Sequence, residues 1–252
     1  MIMERNHLIN YDIFVPDDRE PAFEQLGKLH KKLHIPIPQS FLETQIWDRD
    51  GNTIHHAQRR TQSWNRNAYN IALCTFAVKD ADDNAFSGGN LGLKNTSGTI
   101  GYGNAIPLVV LNQGTTSADS AGNGVLAASA NANFGILVGD DNTAVTFEDY
   151  VLGSKIAHGE GAGQLSHTAM QAHDESYVSG TKTYTITHAR YFNNNESGEG
   201  AISVEEACLV TYGYTTAGAN YFLLSRDLTG SLSVPYQGQL KVSYAISLVY
   251  SA

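Results

Sequence analysis

The chain has 252 residues, 42% of them apolar, 10% aromatic and only 16% charged, with a formal net charge of −9. That length and apolar content can fill a proper core and exclude a chain that is disordered as a whole. A weakly charged, acidic surface offers no electrostatic reason to hold DNA or RNA, which are gripped largely through Lys and Arg contacts to phosphate.

Residues 1–16 carry Leu8, Ile9, Tyr11, Ile13, Phe14 and Val15 without a firm period, and are expected either to add an edge strand or to form an arm that docks on a neighbour. The first six residues lack the basic segment followed by an apolar run that a signal peptide needs, and no stretch reaches the roughly eighteen apolar residues of a membrane span. The expectation is a protein made in a cytoplasm with no membrane partner. Asp17 and Asp18 offer a helix N-cap, Glu20 and Glu24 put negative charge in the first turn, and Phe23, Leu26, Leu29 and Leu33 recur at helical spacing. Lys28, Lys31, Lys32 and His34 crowd the far end, and Ile35-Pro36-Ile37-Pro38 must stop the helix because proline lacks the N–H. Residues 1–40 are therefore expected to be an extended N-terminal arm and short helix, separable from the body and serving to dock. Tyr11, Phe14, Phe23, Leu26 and Leu29 are the expected docking surface.

The body, residues 41–252, opens with strand-like runs at 41–47 and 53–62 around the turn Asp48-Arg49-Asp50-Gly51-Asn52, a hairpin pattern. A calcium loop fails there, since the glycine is at the fourth place and Arg59 stands where a bidentate glutamate should be. The period then changes over 64–76, where Ala68, Tyr69, Ala72, Leu73 and Phe76 fit a short helix lying on the sheet. Residues 79–106 read as mostly loop with a short strand at 91–94, and Asp80, Asp82 and Asp83 as a solvated acidic turn. A compact apolar strand follows at 107–112. Residues 113–133 are a low-complexity run of Gly, Ala, Ser, Thr and Asn, either mobile or ordered by a partner. Residues 134–138 read as a buried strand and 164–171 as another.

The C-terminal seventy residues have the clearest pattern. Leu240, Val242, Tyr244, Ile246, Leu248 and Tyr250 alternate with Lys241, Ser243, Ala245 and Ser247, a period of two that marks a strand with one buried face. With runs at 181–192, 202–212 and 222–227, four strands separated by Gly, Asn and Ser clusters read as one antiparallel sheet. The predicted fold is mainly β: an antiparallel β-sandwich, jelly-roll-like, with one or two short helices.

Chemical motifs are absent. Cys74 and Cys208 are too few for a disulfide framework or a zinc site and read as small buried hydrophobes. Of nine histidines, His55 and His56 are adjacent and face opposite ways on a strand, while His158, His167, His173 and His188 fall in different elements without metal-ligand spacing. Arg226 and Asp227, neighbours on a strand, are expected to bond separately to adjacent strands or turns. No nucleophile elbow, phosphate loop or dinucleotide fingerprint occurs. Catalytic, cofactor-binding and metal residues are accordingly predicted as none.

The order Phe134-Gly135-Ile136-Leu137-Val138-Gly139, Phe147-Glu148-Asp149-Tyr150 and Gly163-Gln164-Leu165-Ser166 resembles a family of accessory structural proteins of tailed bacteriophages. The likeness continues through Ile202-Ser203-Val204-Glu205-Glu206-Ala207, Phe222-Leu223-Leu224-Ser225-Arg226-Asp227, Ser233-Val234-Pro235 and Leu240-Lys241-Val242-Ser243-Tyr244, and upstream Ser63-Trp64-Asn65-Arg66-Asn67-Ala68-Tyr69-Asn70 is similar too. Where similar proteins tend to carry a glycine soon after the glutamate of the Val-Glu element, this chain has Cys208. Such proteins are tail, fibre, neck or head-decoration components. The resemblance implies a non-enzymatic virion protein, a capsid decoration or cement or a tail-associated component, whose partners are copies of itself and other virion proteins such as the major capsid or tail proteins. A trimer is implied by how phage accessory proteins are commonly built, not by a spacing in this chain. The alternative is a receptor- or carbohydrate-binding module of a tail fibre using Tyr102, Tyr212, Tyr214 or Tyr236; a third reading is a polysaccharide-degrading enzyme.

Overall fold

The computed structural model describes residues 9–10, 12–62, 64–74, 92–102, 124–198, 200–215 and 218–250. Tyr11, the acidic turn at Asp80, Asp82 and Asp83, the strand expected at 107–112 and residues 113–123 of the low-complexity run lie outside the described residues. Among the described residues the fold is mainly β, with two larger antiparallel sheets facing each other across one core, a small two-stranded sheet, and two helices.

The first sheet has six strands. Strands β1 (Ile37–Trp47) and β2 (Thr53–Arg60) form the expected hairpin, whose turn is fixed by Asp48: its Oδ1 accepts the backbone N–H groups of Asp50 and Asn52, both at 2.9 Å. β1 begins four residues before the expected strand and includes Pro38. Among the described residues β2 pairs with β1 only as far as Phe41, so Pro38, which cannot donate, lies beyond that ladder. On its other side β1 pairs with β11 (Gln239–Val249), and β11 with β8 (Thr183–Asn193). β6 (Ser166–Met170) and β7 (Asp174–Val178) line the far edge of β8 in turn.

The second sheet has three strands, β10 (Gly218–Val234), β9 (Ile202–Thr215) and β5 (Gly135–Gly139). The four C-terminal strands are therefore not one sheet, as their sequence suggested. β8 and β11 belong to one layer and the β9–β10 hairpin to the other, so consecutive strands cross the core twice. Periodicity reports that a strand has a buried face but not which layer it joins.

The core lies between the layers. Leu42, Ile46, Phe192, Leu240, Val242 and Tyr244 come from the six-stranded sheet and Ile136, Val138, Leu209 and Leu223 from the other. β5 is buried at every position, which accounts for its unbroken apolar run. Its free edge is occupied by residues 154–156, where Ile156 N–H donates to Val138 O at 3.0 Å, and the free edge of β10 is bridged by Trp64.

The helices lie outside this sandwich. α2 (Arg66–Cys74) packs on β10 and on β3 (Gly92–Lys94), which pairs with β4 (Ile100–Tyr102) in a small hairpin. α1 (Glu20–Leu33) follows the N-terminal segment. Its N-cap is Arg19, not Asp17 or Asp18, and no side chain caps it. Asp17 works one step earlier, accepting the Arg19 backbone N–H at 2.8 Å and clamping the guanidinium. Among the described residues no helix is long and apolar enough to cross a membrane.

Candidate functional site

The N-terminal segment is laid against the outer side of the β1–β2 hairpin. Val15 N–H donates to Gln58 O at 2.7 Å and Gln58 N–H to Ile13 O at 2.9 Å, so residues 13–15 continue the sheet beyond β2. Phe14 stands edge-on to Phe41, ring centroids 6.3 Å apart at 69°. Phe23 lies under Arg60, whose guanidinium carbon is 4.0 Å from the ring centroid and whose Nε donates to Glu20 Oε1 at 2.8 Å. His30 is buried at the far end of the helix, its Nδ1 meeting Ile35 O at 2.5 Å. Glu20 and Phe23, three residues apart on the first turn of α1, are thus the helix residues held on the body.

The five residues expected to dock together are thus divided. Phe14 and Phe23 pack on their own subunit, Tyr11 lies outside the described residues, and Leu26 and Leu29 are 41% and 49% exposed. Leu33, 53% exposed, and Ala22 continue the same exposed line. Ala22, Leu26, Leu29 and Leu33 are spaced four, three and four residues apart, the spacing of the apolar seam of a coiled coil. Sequence reading joined Phe23 to these leucines as one face. It belongs to the neighbouring stripe, about 100° round the helix from Ala22, and the four-three-four step of the leucines was the signal that separates the two.

The other polar groups serve the fold. Arg226 and Asp227 turn to opposite faces of β10. The Arg226 guanidinium reaches Glu206 at 2.6 Å, Asp141 at 3.0 Å and Asp149 at 3.1 Å. Burial opposes its charge, but the hydrogen bonds to Glu206 and Asp149 leave its pKa raised. Asp227 instead accepts from Ser225 Oγ at 2.7 Å and from Tyr244 Oη at 3.0 Å, across the core. His55 meets Thr44 and His56 meets Glu43 on opposite faces of β2.

The structure does bring together histidines that the sequence left apart. The rings of His158 and His167 lie 5.6 Å apart and those of His173 and His188 6.2 Å apart. His167 is buried and stands edge-on to Phe192; burial first, then the Arg190 charge, push its pKa down to about 3. Burial, then the nearby His173, lowers His188 to about 4. Among the described residues no three His, Cys, Asp or Glu side chains gather as a metal site. Cys208 is a free thiol at full burial, its pKa raised by desolvation.

Of the tyrosines considered as a binding platform, Tyr212 is packed with Phe134 and Tyr221, and the side chains of Tyr102 and Tyr214 lie outside the described residues. Tyr236 is half-buried in the turn between β10 and β11. Compared with protein-family models, with curated proteins and with solved structures, the chain matches none.

Proposed function

We propose that this chain is a non-enzymatic structural protein of a tailed-phage virion that assembles by laying the exposed leucine stripe of α1 against the same stripe of a second copy. The observation that carries the assembly step is the second apolar face of α1. Glu20 and Phe23 hold the first turn on Arg60 of the subunit's own hairpin, yet Leu26, Leu29 and Leu33 remain exposed at the spacing at which two helices interlock side chains. The edges of β2, β5 and β10 carry residues 13–15, 154–156 and Trp64, which opposes strand addition at those places, and the exposed leucine stripe is the apolar surface offered instead.

The virion setting rests on the resemblance, in the order of its segments, to accessory phage proteins. It makes the protein a capsid decoration or cement, or a tail-associated component, made in the bacterial host cytoplasm and carried in the particle. Its partners are other copies, with a trimer the expected number, and the major capsid or tail proteins. A rigid sandwich with a docked helix suits that task, since the body holds its shape while one face makes the contact.

The test is quantitative mass spectrometry of purified particles against the major capsid protein, with the natural chain and with Leu26→Glu/Leu29→Glu. The natural chain is expected in the particle at a fixed ratio and the variant to be depleted. Absence of the natural chain from purified particles would overturn the virion reading, and full incorporation of the variant would overturn the role of the stripe.

A further inference from the structure

Away from α1, a groove of about 380 Å³ opens at the end of the six-stranded sheet, a volume within the range of small-molecule sites. Its wall is a row of cross-strand partners: Trp47 on β1 is opposite Gln239 on β11, which is opposite Asn193 on β8. The Trp47 ring, half-exposed, leans on Tyr191 at 6.2 Å and 31°. Gln239 Nε2 donates to Asn193 Oδ1 at 2.6 Å. That bond uses the donor of one amide and the acceptor of the other, and orients Gln239 Oε1 and Asn193 Nδ2 as a fixed acceptor and donor pair.

The opposite lip is the turn from Pro235 to Gly238, closed by Gly238 N–H donating to Pro235 O at 2.8 Å. Gln237 sits in it at φ 59°, a left-handed conformation that glycine or asparagine takes at lower cost. Departures of this kind gather at binding sites, where the side chain has a task that offsets the strain. Gly238 next to it lets the turn rest on β1, since a Cβ there would come within 2.7 Å of Trp47 O. With Asn195, the lining thus holds four side-chain amides around one indole.

The groove is close to electrically neutral. Asp48, the carboxylate in its lining, is already held by the Asp50 and Asn52 amides, and Arg49 lies exposed beside Asp50 at 3.7 Å. One guanidinium at the rim gives no site for a phosphate or an anionic polymer, and one ring among amides gives little for a lipid. Paired donors and acceptors beside an aromatic face instead match the hydroxyls and C–H face of a sugar ring. We infer that this groove binds a neutral saccharide, one or two sugar units long, stacked on Trp47 and hydrogen-bonded by Asn193, Gln237 and Gln239. The site is independent of the leucine stripe of α1, so either can fail without the other.

The experiment uses the full chain on a glycan array of neutral hexose and N-acetylhexosamine oligosaccharides, followed by two-dimensional NMR titration with the best binder. Two indole N–H signals are expected, from Trp47 and Trp64, and saccharide should move that of Trp47 alone. Gln237→Gly relieves the left-handed residue and removes its amide, so it should fold as well as the natural chain yet lose about tenfold or more in affinity, as removal of one well-placed hydrogen-bonding group does. Trp47→Ala should abolish binding. No binding by the natural chain at roughly 1 mM saccharide, binding of acidic glycans or peptides only, or affinity unchanged in Gln237→Gly would each overturn the proposal.

Discussion

Arg190 is the side chain whose loss should cost this fold most for its size. It is fully buried on β8, and among the described residues its hydrogen-bond acceptors are five backbone carbonyls and no carboxylate. Nε donates to Thr168 O at 2.8 Å, Nη1 to Ile136 O at 2.9 Å and Nη2 to Asn131 O at 2.6 Å, with longer bonds at 3.4 Å to Phe134 O and Ala128 O. One guanidinium thus ties β6, β5 and the segment from 128 to 134 to the six-stranded sheet. Burial without a counter-charge lowers its pKa to about 10, still charged at neutral pH. Replacing it with methionine keeps the apolar stem and removes the donors. The three short bonds are charge-assisted, at about 1.5–3 kcal/mol each, and the released desolvation of the cation offsets part of that loss. The net expectation is about 3–5 kcal/mol, because buried carbonyls at about 1–3 kcal/mol each are left without their donor. Urea unfolding followed by far-UV circular dichroism of the natural chain, Arg190→Met and Arg190→Lys measures it. Lysine should recover only part, because a single ammonium cannot serve carbonyls on three sides. A loss under about 1 kcal/mol in Arg190→Met would refute the reasoning.

Four further outcomes follow from the same geometry. His167 and His188 have folded pKa values of about 3 and about 4, below the usual histidine range, so the unfolded chain takes up their protons first. Stability is then full above about pH 6.5 and falls as pH drops, by about 2 kcal/mol for each histidine between pH 7.5 and 5; urea midpoints that do not change over that range would contradict this. Arg226→Ala leaves Glu206, which is fully buried, without its cation and should lose about 3–5 kcal/mol in chemical denaturation. Gly135→Ala meets both a φ of 82° and a Cβ position 2.9 Å from Ala127 Cβ, so a thermal melt should show a loss of at least about 1–3 kcal/mol. Phe23→Ala should lower the stability of the single subunit, read by differential scanning calorimetry at low concentration, whereas Leu26→Ala should leave it within about 0.5 kcal/mol.

Much of this fold is legible in the residues, and the parts that are not have a common cause. The alternation marks β11 over Leu240, Val242 and Tyr244, which enter the core while Lys241 does not; beyond them it fails, since Ser243 and Ser247 are buried too and Tyr250, past the end of the strand, is exposed. Asp48 and Gly51 mark the first hairpin because an aspartate side chain and a glycine at φ 82° are what that turn needs. What the pattern could not say is which strands share a layer, since β8 and β9 have similar composition and lie in different sheets. β7 escaped altogether: Asp174, Glu175, Ser176 and Tyr177 are all exposed on an edge, so no apolar alternation announces it. The two stripes of α1 were merged because Phe23 and Leu26 obey the same three-residue step; the spacing of Ala22, Leu26, Leu29 and Leu33 separates them, and contact with Arg60 assigns Phe23 to the body. The amide row of Trp47, Gln239 and Asn193 is invisible in sequence for a simpler reason. Its members come from three strands and meet only through register.

The claim that α1 carries the assembly contact is tested most directly by sedimentation velocity of the full chain over a wide concentration range, beside Leu26→Glu/Leu29→Glu. The seam is only two heptads long, so a weak, concentration-dependent association is expected, with a trimer as the expected limiting species. The variant should sediment as a single subunit at every concentration with an unchanged circular dichroism spectrum. A natural chain that stays monomeric throughout, or a variant that associates as the natural chain does, would contradict the account.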